Sequence, residues 1–275
     1  RFMSIKPFTP AVLKEIMAEY NPNYTSEDLL ALYSFTGGVA KYVQLLVDAG
    51  ATTKTKMLNH IIKADSVFLG EGKAILIEEF GKDYGVYFSI LSAIARGKTL
   101  RSEIEQIVGR EIGGYLTKLE KEYEVITKNQ PIFEKSSTKS VRYTIEDNFF
   151  TFWFRFIYKY NYMLEIENYD AVKTIINRDY ETFSGKMLER YFKRVLMESK
   201  AYTRIGSWWD RKGENEIDIV AENELNDEAV FIEVKRKEEN FDEEVLSEKV
   251  GIFTRATGKF KDYSVSQKGL SMTDM

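Results

Sequence analysis

Two apolar runs near the C-terminal end carry acids where buried strands ordinarily carry none: Glu216-Ile217-Asp218-Ile219-Val220 and Phe231-Ile232-Glu233-Val234-Lys235. Side chains alternate along a strand, so Ile217 and Ile219 are expected on one face, with Glu216, Asp218 and Val220 on the other. In the second run Ile232 and Val234 oppose Phe231, Glu233 and Lys235. A polar turn near Leu225-Asn226 separates the runs. Pairing about that turn sets Asp218 opposite Glu233, and Glu216 opposite Lys235. Cross-strand neighbours lie about 5 Å apart, and carboxylates that close repel unless one is protonated or a cation lies between them. A hard cation such as Mg²⁺ is held through one or two carboxylates and keeps waters for a phosphate substrate. A lysine two residues beyond the second acid can hold the attacking water or steady the developing phosphate charge. Spacing alone also fits an ordinary half-exposed hairpin, with Glu216 and Lys235 as a plain cross-strand ion pair.

Little else in the chain offers chemistry. Its 275 residues include no Cys and one His, His60, which excludes disulfides, zinc knuckles, thiol catalysis and Ser-His-Asp triads. Any chemistry falls to carboxylates and lysines. Hydrophobic residues at 44% and aromatics at 14% suffice for packed cores, and the length suits two or three domains. A net charge of −4 gives no global attraction to nucleic acid. The most apolar stretch, FFTFWFRFIYKYNYML (149–164), is broken by Arg155 and Lys159, and no run reaches the roughly 18 apolar residues of a membrane span. With no signal-peptide pattern either, a cytoplasmic protein without a membrane partner is expected. The opening Arg-Phe-Met suggests a fragment of a longer chain; tag cleavage would leave the same start.

The elements that must position the acids follow a legible order. Residues 8 to about 65 read as helices: Thr9-Pro10 opens one, Ser26 with Asp28 a second that stops at Gly37-Gly38, and VAKYVQLLVDAG a third, with a fourth from Lys54 to Val67. Residues 76–147 give three short helices, Tyr84–Ala95, 99–109 and 111–122. The β-prone pieces YEVITKN, IFEK and VRYTI follow, the order of a winged helix. Residues 148–275 begin with an aromatic helical block, then strands YTRIGSWW, EIDIVA and AVFIEVK, a helix, and a last strand at KDYSVSQ.

The order of an acid-bearing helix, then E-I-D-I-V, then I-E-V-K resembles the PD-(D/E)XK nuclease superfamily, restriction-endonuclease-like in fold. In that superfamily an acid on the first core helix joins the strand Asp and the acid-x-Lys pair. The matching helix is YETFSGKMLERYFKRVLMES (180–199), where Glu189 lies beside the apolar stripe Phe183, Met187, Leu188, Tyr191, Phe192 and Val195. The resemblance implies catalytic roles for Asp218, Glu233, Lys235 and Glu189, and Mg²⁺ held by Asp218, Glu233 and the main-chain carbonyl of Val234. Beyond this core, SIKPFTP, FTGGVAKYVQLL, IEDNFFTFWFRFIY and GSWWDRKGENEIDIVA resemble the archaeal-type ATPases of the AAA+/STAND kind across essentially the whole chain. Ala40 departs from the Pro usual there. No G-x-x-x-x-G-K-[ST] occurs, and Gly70-Glu71-Gly72-Lys73 lacks its spacing and hydroxyl.

The resemblance therefore implies a multidomain α+β chain. It would comprise the helical lid of an absent ATPase domain (1–75), a winged helix (76–147) and a nuclease-like α/β/α domain with a mixed sheet and an aromatic linking helix (148–275). ATP would bind only through the absent N-terminal domain, which would be one partner; DNA would be another, with homo-oligomerisation left open. Residues 82–142 hold 11 Lys and Arg against 8 Asp and Glu. Arg110, Lys118 and Lys121 near the third helix, with Lys128, Lys139 and Arg142 in the wing, would be phosphate contacts, or else a solvated face. The block 149–164 reads as a core seam rather than a base-stacking platform. Between Glu214 and Glu248 there are 14 acids and 3 bases, which repels DNA. A DNA-cleaving domain and a catalytically silent DNA- or protein-binding regulatory module both remain open.

Overall fold

In the computed structural model, which describes residues 6–134 and 140–275, the chain forms two compact units. The first comprises Arg1–Phe8, Val12–Asn129 and Arg142–Tyr180; the second comprises Thr9–Ala11, Gln130–Val141 and Glu181–Met275. Among the described residues the architecture is mixed α and β: twelve α-helices, a two-stranded antiparallel sheet and a four-stranded mixed sheet. Among the described residues no helix is long and apolar enough to cross a membrane.

Helices α1 (Pro10–Tyr20), α2 (Ser26–Thr36), α3 (Ala40–Asp48), α4 (Lys54–Ile61) and α5 (Val67–Phe80) come first. Proline at the first turn of α1 gives up a hydrogen bond that position would lack anyway. Helix α2 starts at Ser26 as expected, and its cap is the preceding Thr25. Its hydroxyl accepts from the Asp28 amide at 3.2 Å while the Asp28 carboxylate accepts from the Thr25 amide at 3.0 Å, a reciprocal capping box. The other Asp28 oxygen accepts from the Lys54 amide at 2.7 Å, so one buried carboxylate serves the first turns of α2 and α4. Gly37, at φ 61°, closes α2 in a left-handed turn open to glycine.

Helices α6 (Tyr84–Ala95), α7 (Arg101–Val108) and α8 (Gly113–Lys121) lead into strands β1 (Ile126–Asn129) and β2 (Arg142–Ile145), paired antiparallel with Ile126 opposite Ile145. The aromatic block follows as α9 (Asn148–Phe152), a π-helical turn (Trp153–Tyr158) and α10 (Asn161–Glu165). Its rings are core. Phe152 lies 4.7 Å from Phe35, Phe149 lies 4.2 Å from Tyr42, and Phe154 lies 5.3 Å from Phe88, centroid to centroid. The indole of Trp153 donates to the Leu69 carbonyl at 3.1 Å and lies flat against Gly72. A Cβ on Gly72 would come within 2.6 Å of the ring's Cε2. Gly72 thus serves ring packing inside α5.

The long continuous part of the second unit starts within α11 (Tyr169–Ser199), continues through β3 (Arg204–Trp209), β4 (Glu216–Asn223) and β5 (Glu228–Val234), and then carries α12 (Glu243–Thr257) and β6 (Ser264–Leu270). The sheet order is β3-β4-β5-β6. The first two pairings are antiparallel and the last is parallel, with α12 as the crossover that a parallel pair requires. Asp242 caps α12 by accepting from the Glu244 and Val245 amides at 3.0 and 3.1 Å. One sheet face, with Trp208, Ile217, Val220, Ala229 and Phe231, packs against Leu246, Val250 and Phe253 of α12. The other face buries Ile219, Ala221 and Ile232, and α11 supplies the buried Met187, Leu188, Tyr191 and Phe192.

Two expectations need correction. Strict alternation along β4 fails, because the β3–β4 register shifts between Gly206 and Trp208. Gly206 pairs with Val220 and Trp208 with Ile217, so Asp218 and Ile219 together oppose Ser207. This bulge puts Ile217 and Val220 in the same core. The IFEK segment is also not a strand where described; Ile132 to Phe133 form a turn, and the Ile132 amide donates to the Ser207 carbonyl of β3 at 2.9 Å.

Gly72→Ala is expected to lower stability by about 1–3 kcal/mol through overpacking against Trp153, read from chemical denaturation. Gly85→Ala in α6, where a Cβ meets nothing within 4 Å, is the control. It should be neutral or slightly stabilising.

Candidate active site

Four elements bring ionisable side chains to one end of the four-stranded sheet. Strand β4 enters there with Glu216 and Asp218, and β5 leaves with Glu233 and Val234, followed at once by Lys235. Helix α11 contributes Lys186 and Glu189, and α12 contributes Lys249. The β4–β5 ladder runs from Asn223 opposite Glu228 to Ile219 opposite Ile232, the register expected from the sequence. Beyond that last pair the side chain of Asp218 replaces a ladder acceptor: its Oδ2 accepts from the Val234 amide at 2.8 Å. The bulge supports this exchange, since the Ser207 hydroxyl donates to the Asp218 carbonyl at 2.7 Å. Bulges re-aim a side chain in this way at strand ends.

Lysines answer the buried charge. Glu233 is 7% exposed. Lys235 Nζ donates to its Oε1 at 2.8 Å, and Lys249 Nζ to Oε1 and Oε2 at 2.9 and 3.0 Å. Glu189, with 24% of its side chain accessible, pairs with Lys186 at 2.9 Å. Burial, then the neighbouring charge of Asp218, pushes the Glu189 carboxyl up to about 7, against the pull of Lys186. Asp218 is likewise raised, by burial and by Glu233, although the Val234 amide favours its ionised form. Burial works against the charges of Lys186 and Lys235. The surrounding carboxylates outweigh it, so both ammonium groups are held above their ordinary range. Lys235 feels Glu233, Asp218 and Glu189 together.

The expected Asp218, Glu233, Lys235 and Glu189 are therefore electrostatic neighbours, and Val234 is tied to Asp218 through its amide. Lys186 and Lys249 were not anticipated. Lys186 was legible as a partner one helical turn before Glu189. Lys249 carried no linear signal, because its approach depends on the path of α12. Among the described residues no three acidic or imidazole side chains form a ready-made cation cage. The oxygen donors nevertheless suit a hard cation bound through two carboxylates and water, and the raising of Glu189 by Asp218 and of Asp218 by Glu233 marks negative charge that a cation would relieve.

Of the basic residues expected to contact DNA, Arg110, Lys118, Lys121 and Lys128 are exposed in the first unit, and Arg142 is half-buried on β2. The Arg110 guanidinium lies 5.4 Å from the centre of the Tyr115 ring. Lys139 falls outside the described residues. The flanks of its segment belong to the second unit, where Phe133 lies between Arg204 at 5.0 Å and Lys259 at 5.4 Å. The Trp209 indole donates to Ser140 at 3.0 Å.

The Glu189 value of about 7 exceeds its ordinary 4.5, so the unfolded chain ionises first. The stability contributed by neutral Glu189 is complete below about pH 4.5 and is lost as pH rises through 7. Glu189→Gln should remove that decline. The expected gain over wild type is about 1–2 kcal/mol at pH 8, after allowance for solvent screening, and little at pH 4.5. Urea midpoints measured across this range check it.

Residues 153–248, from the π-helical turn to mid-α12, match the DUF234 family, described as archaeal and bacterial proteins of unknown function. The chain is also similar to an uncharacterized protein, MJECL04, of Methanocaldococcus jannaschii, 32% identical over 251 residues that cover 86% of this chain and 53% of that protein. It thus spans about half the length of this curated relative. No solved structure matches the chain.

Proposed function

We propose that this chain is the C-terminal part of an ATPase-linked, DNA-acting protein whose last domain hydrolyses phosphodiester bonds with Mg²⁺. The observation that carries the reading is the bulge at Asp218. It turns one strand acid onto the Val234 amide and leaves it an electrostatic neighbour of Glu233, Lys235 and Glu189. The helix-β-β-β-helix-β order, with its mixed sheet, fits a restriction-endonuclease-like domain over 148–275. Helices α6 to α8 with the β1–β2 hairpin fit a winged helix over 76–147, and α1 to α5 fit the lid of a nucleotide-binding domain over 1–75. The extra length of the Methanocaldococcus relative leaves room for that domain, through which ATP would bind.

On this reading Asp218, Glu233 and the Val234 carbonyl would hold Mg²⁺, with Glu189 completing the surroundings. When bound, the cation supplies charge neutralisation at the phosphate and a more acidic water. Lys235 orients the attacking water for in-line displacement or donates a hydrogen bond to a phosphate oxygen, which its raised proton affinity keeps charged at neutral pH. Lys118, Lys121, Lys128, Arg110 and Arg142 would position the duplex through its backbone.

A second reading, a catalytically silent DNA- or protein-binding regulatory module, draws on the pairing of Glu233 with two lysines. This is a charge balance that needs no metal. Calorimetric titration with Mg²⁺ separates the two: heat that disappears in Asp218→Asn favours the enzyme, and no heat favours the silent module.

Incubated with supercoiled plasmid and Mg²⁺ or Mn²⁺, the wild-type protein should nick DNA, and Lys235→Ala should reduce the rate at least about 100-fold. Identical traces for the two proteins would overturn the enzymatic reading. The double variant Lys118→Glu/Lys121→Glu should weaken duplex binding about tenfold and flatten its salt dependence, measured by fluorescence anisotropy at several salt concentrations.

A further inference from the structure

Glu233 receives more positive charge than it can use. Its Oε1 accepts from both Lys235 and Lys249, its Oε2 from Lys249, so two ammonium groups surround one carboxylate. A cation approaching Glu233 meets their repulsion and finds three of its roughly four acceptor positions taken. Departure of one lysine relieves that repulsion. Lys235 is tied to the site's other acids as well, lying in the field of Asp218 and Glu189, and the proposed chemistry keeps it in place. Lys249 comes from α12, its side chain less accessible than that of Lys235, 19% against 36%, and Glu233 is the site acid to which it donates.

We infer that Lys249 is a displaceable internal cation: it holds Glu233 in the metal-free protein and swings away when a divalent cation takes its place. This inference rests on the reading of Asp218 and Glu233 as metal-binding residues. It assigns Lys249 a positioning role: it sets the threshold for cation binding through Glu233 without touching substrate. Loading the site would then free the α12 lysine, so metal occupancy is coupled to the position of one side chain on the crossover helix.

The test is a Mn²⁺ titration of the whole chain, with free Mn²⁺ followed by electron paramagnetic resonance and the heat by calorimetry. Lys249→Gln should bind Mn²⁺ at least about tenfold more tightly, the effect of removing one unit charge about 5 Å from a divalent cation even at the dielectric constant of water. Lys249→Met should do the same, and Lys249→Arg should bind no more tightly than wild type. Asp218→Asn should abolish binding in each background. If the neutral variants bind as wild type or more weakly while Asp218→Asn still abolishes binding, the inference fails and the metal-site reading stands. If no variant binds Mn²⁺, both fail. If Lys249→Gln and Lys249→Met both unfold, as judged by circular dichroism, Lys249 is a structural clamp and the inference fails on that ground.

Discussion

The second unit is organised around the cost of placing carboxylates at the ends of two adjacent buried strands. An uncompensated buried charge costs several kcal/mol, more than a domain of this size can spare many times over. The chain compensates from three directions. Lys186 reaches Glu189 from α11, Lys235 follows β5 directly, and Lys249 comes from α12. Asp218 takes a different partner, the Val234 amide, which the strand ladder would otherwise have satisfied. The β4–β5 ladder ends at Ile219 and Ile232, and beyond it one of the strand acids stands in for a ladder acceptor.

Topology makes the compensation available. A purely antiparallel sheet of consecutive hairpins could leave one face in water. Here the β5–β6 pair is parallel, so α12 must cross the sheet, and its Leu246, Val250 and Phe253 seal one face. Lys249 sits beside Val250 and is carried to Glu233 by the same packing. On the other face α11 brings Lys186 and Glu189 near Glu216 and Asp218. Two helices needed for burial thus also deliver the charges that the strand acids need. The bulge at Asp218 and Ile219 lets one strand serve both faces, sending Ile217 and Val220 to the α12 side.

Much of this was legible from residue types. Proline at the start of α1, the glycine stop of α2, the helix-rich first half and the β4–β5 register followed from local signals that the tertiary structure leaves intact. The aromatic block was legible as core, since rings at helical spacing bury best against one another. The bulge was not, because Asp218 and Ile219 look regular until Ser207 of another strand is placed opposite them. Nor was the position of Ile132, which lies in the connection between β1 and β2 and whose amide pairs with β3 rather than lengthening that hairpin. The start of α2 at Ser26 was legible, but its cap was not, because Thr25 and Ser26 are equally good capping residues in isolation and only the reciprocal bond with Asp28 distinguishes them.

The acidity between Glu214 and Glu248 is the strongest sequence argument against a DNA substrate, and the fold weakens it. Glu222, Glu224, Asp227 and Glu228 lie at or beyond the far end of the β4–β5 hairpin, where Asn223 pairs with Glu228. At about 3.4 Å per residue, that end is about 17 Å from Asp218. This exceeds the roughly 8 Å over which exposed charges act at physiological salt. The far acids are also partly matched: Arg204 approaches Glu222 at 3.6 Å, and Tyr263 donates to it at 3.2 Å. At the near end the acids are interleaved with Lys186, Lys235, Arg236 and Lys249, and Lys237 follows. A phosphate arriving there meets a field set by these near charges, by Glu238, Glu239 and the acids that open α12, and by whether Asp218 and Glu233 hold a cation, while the four far acids have little bearing on it.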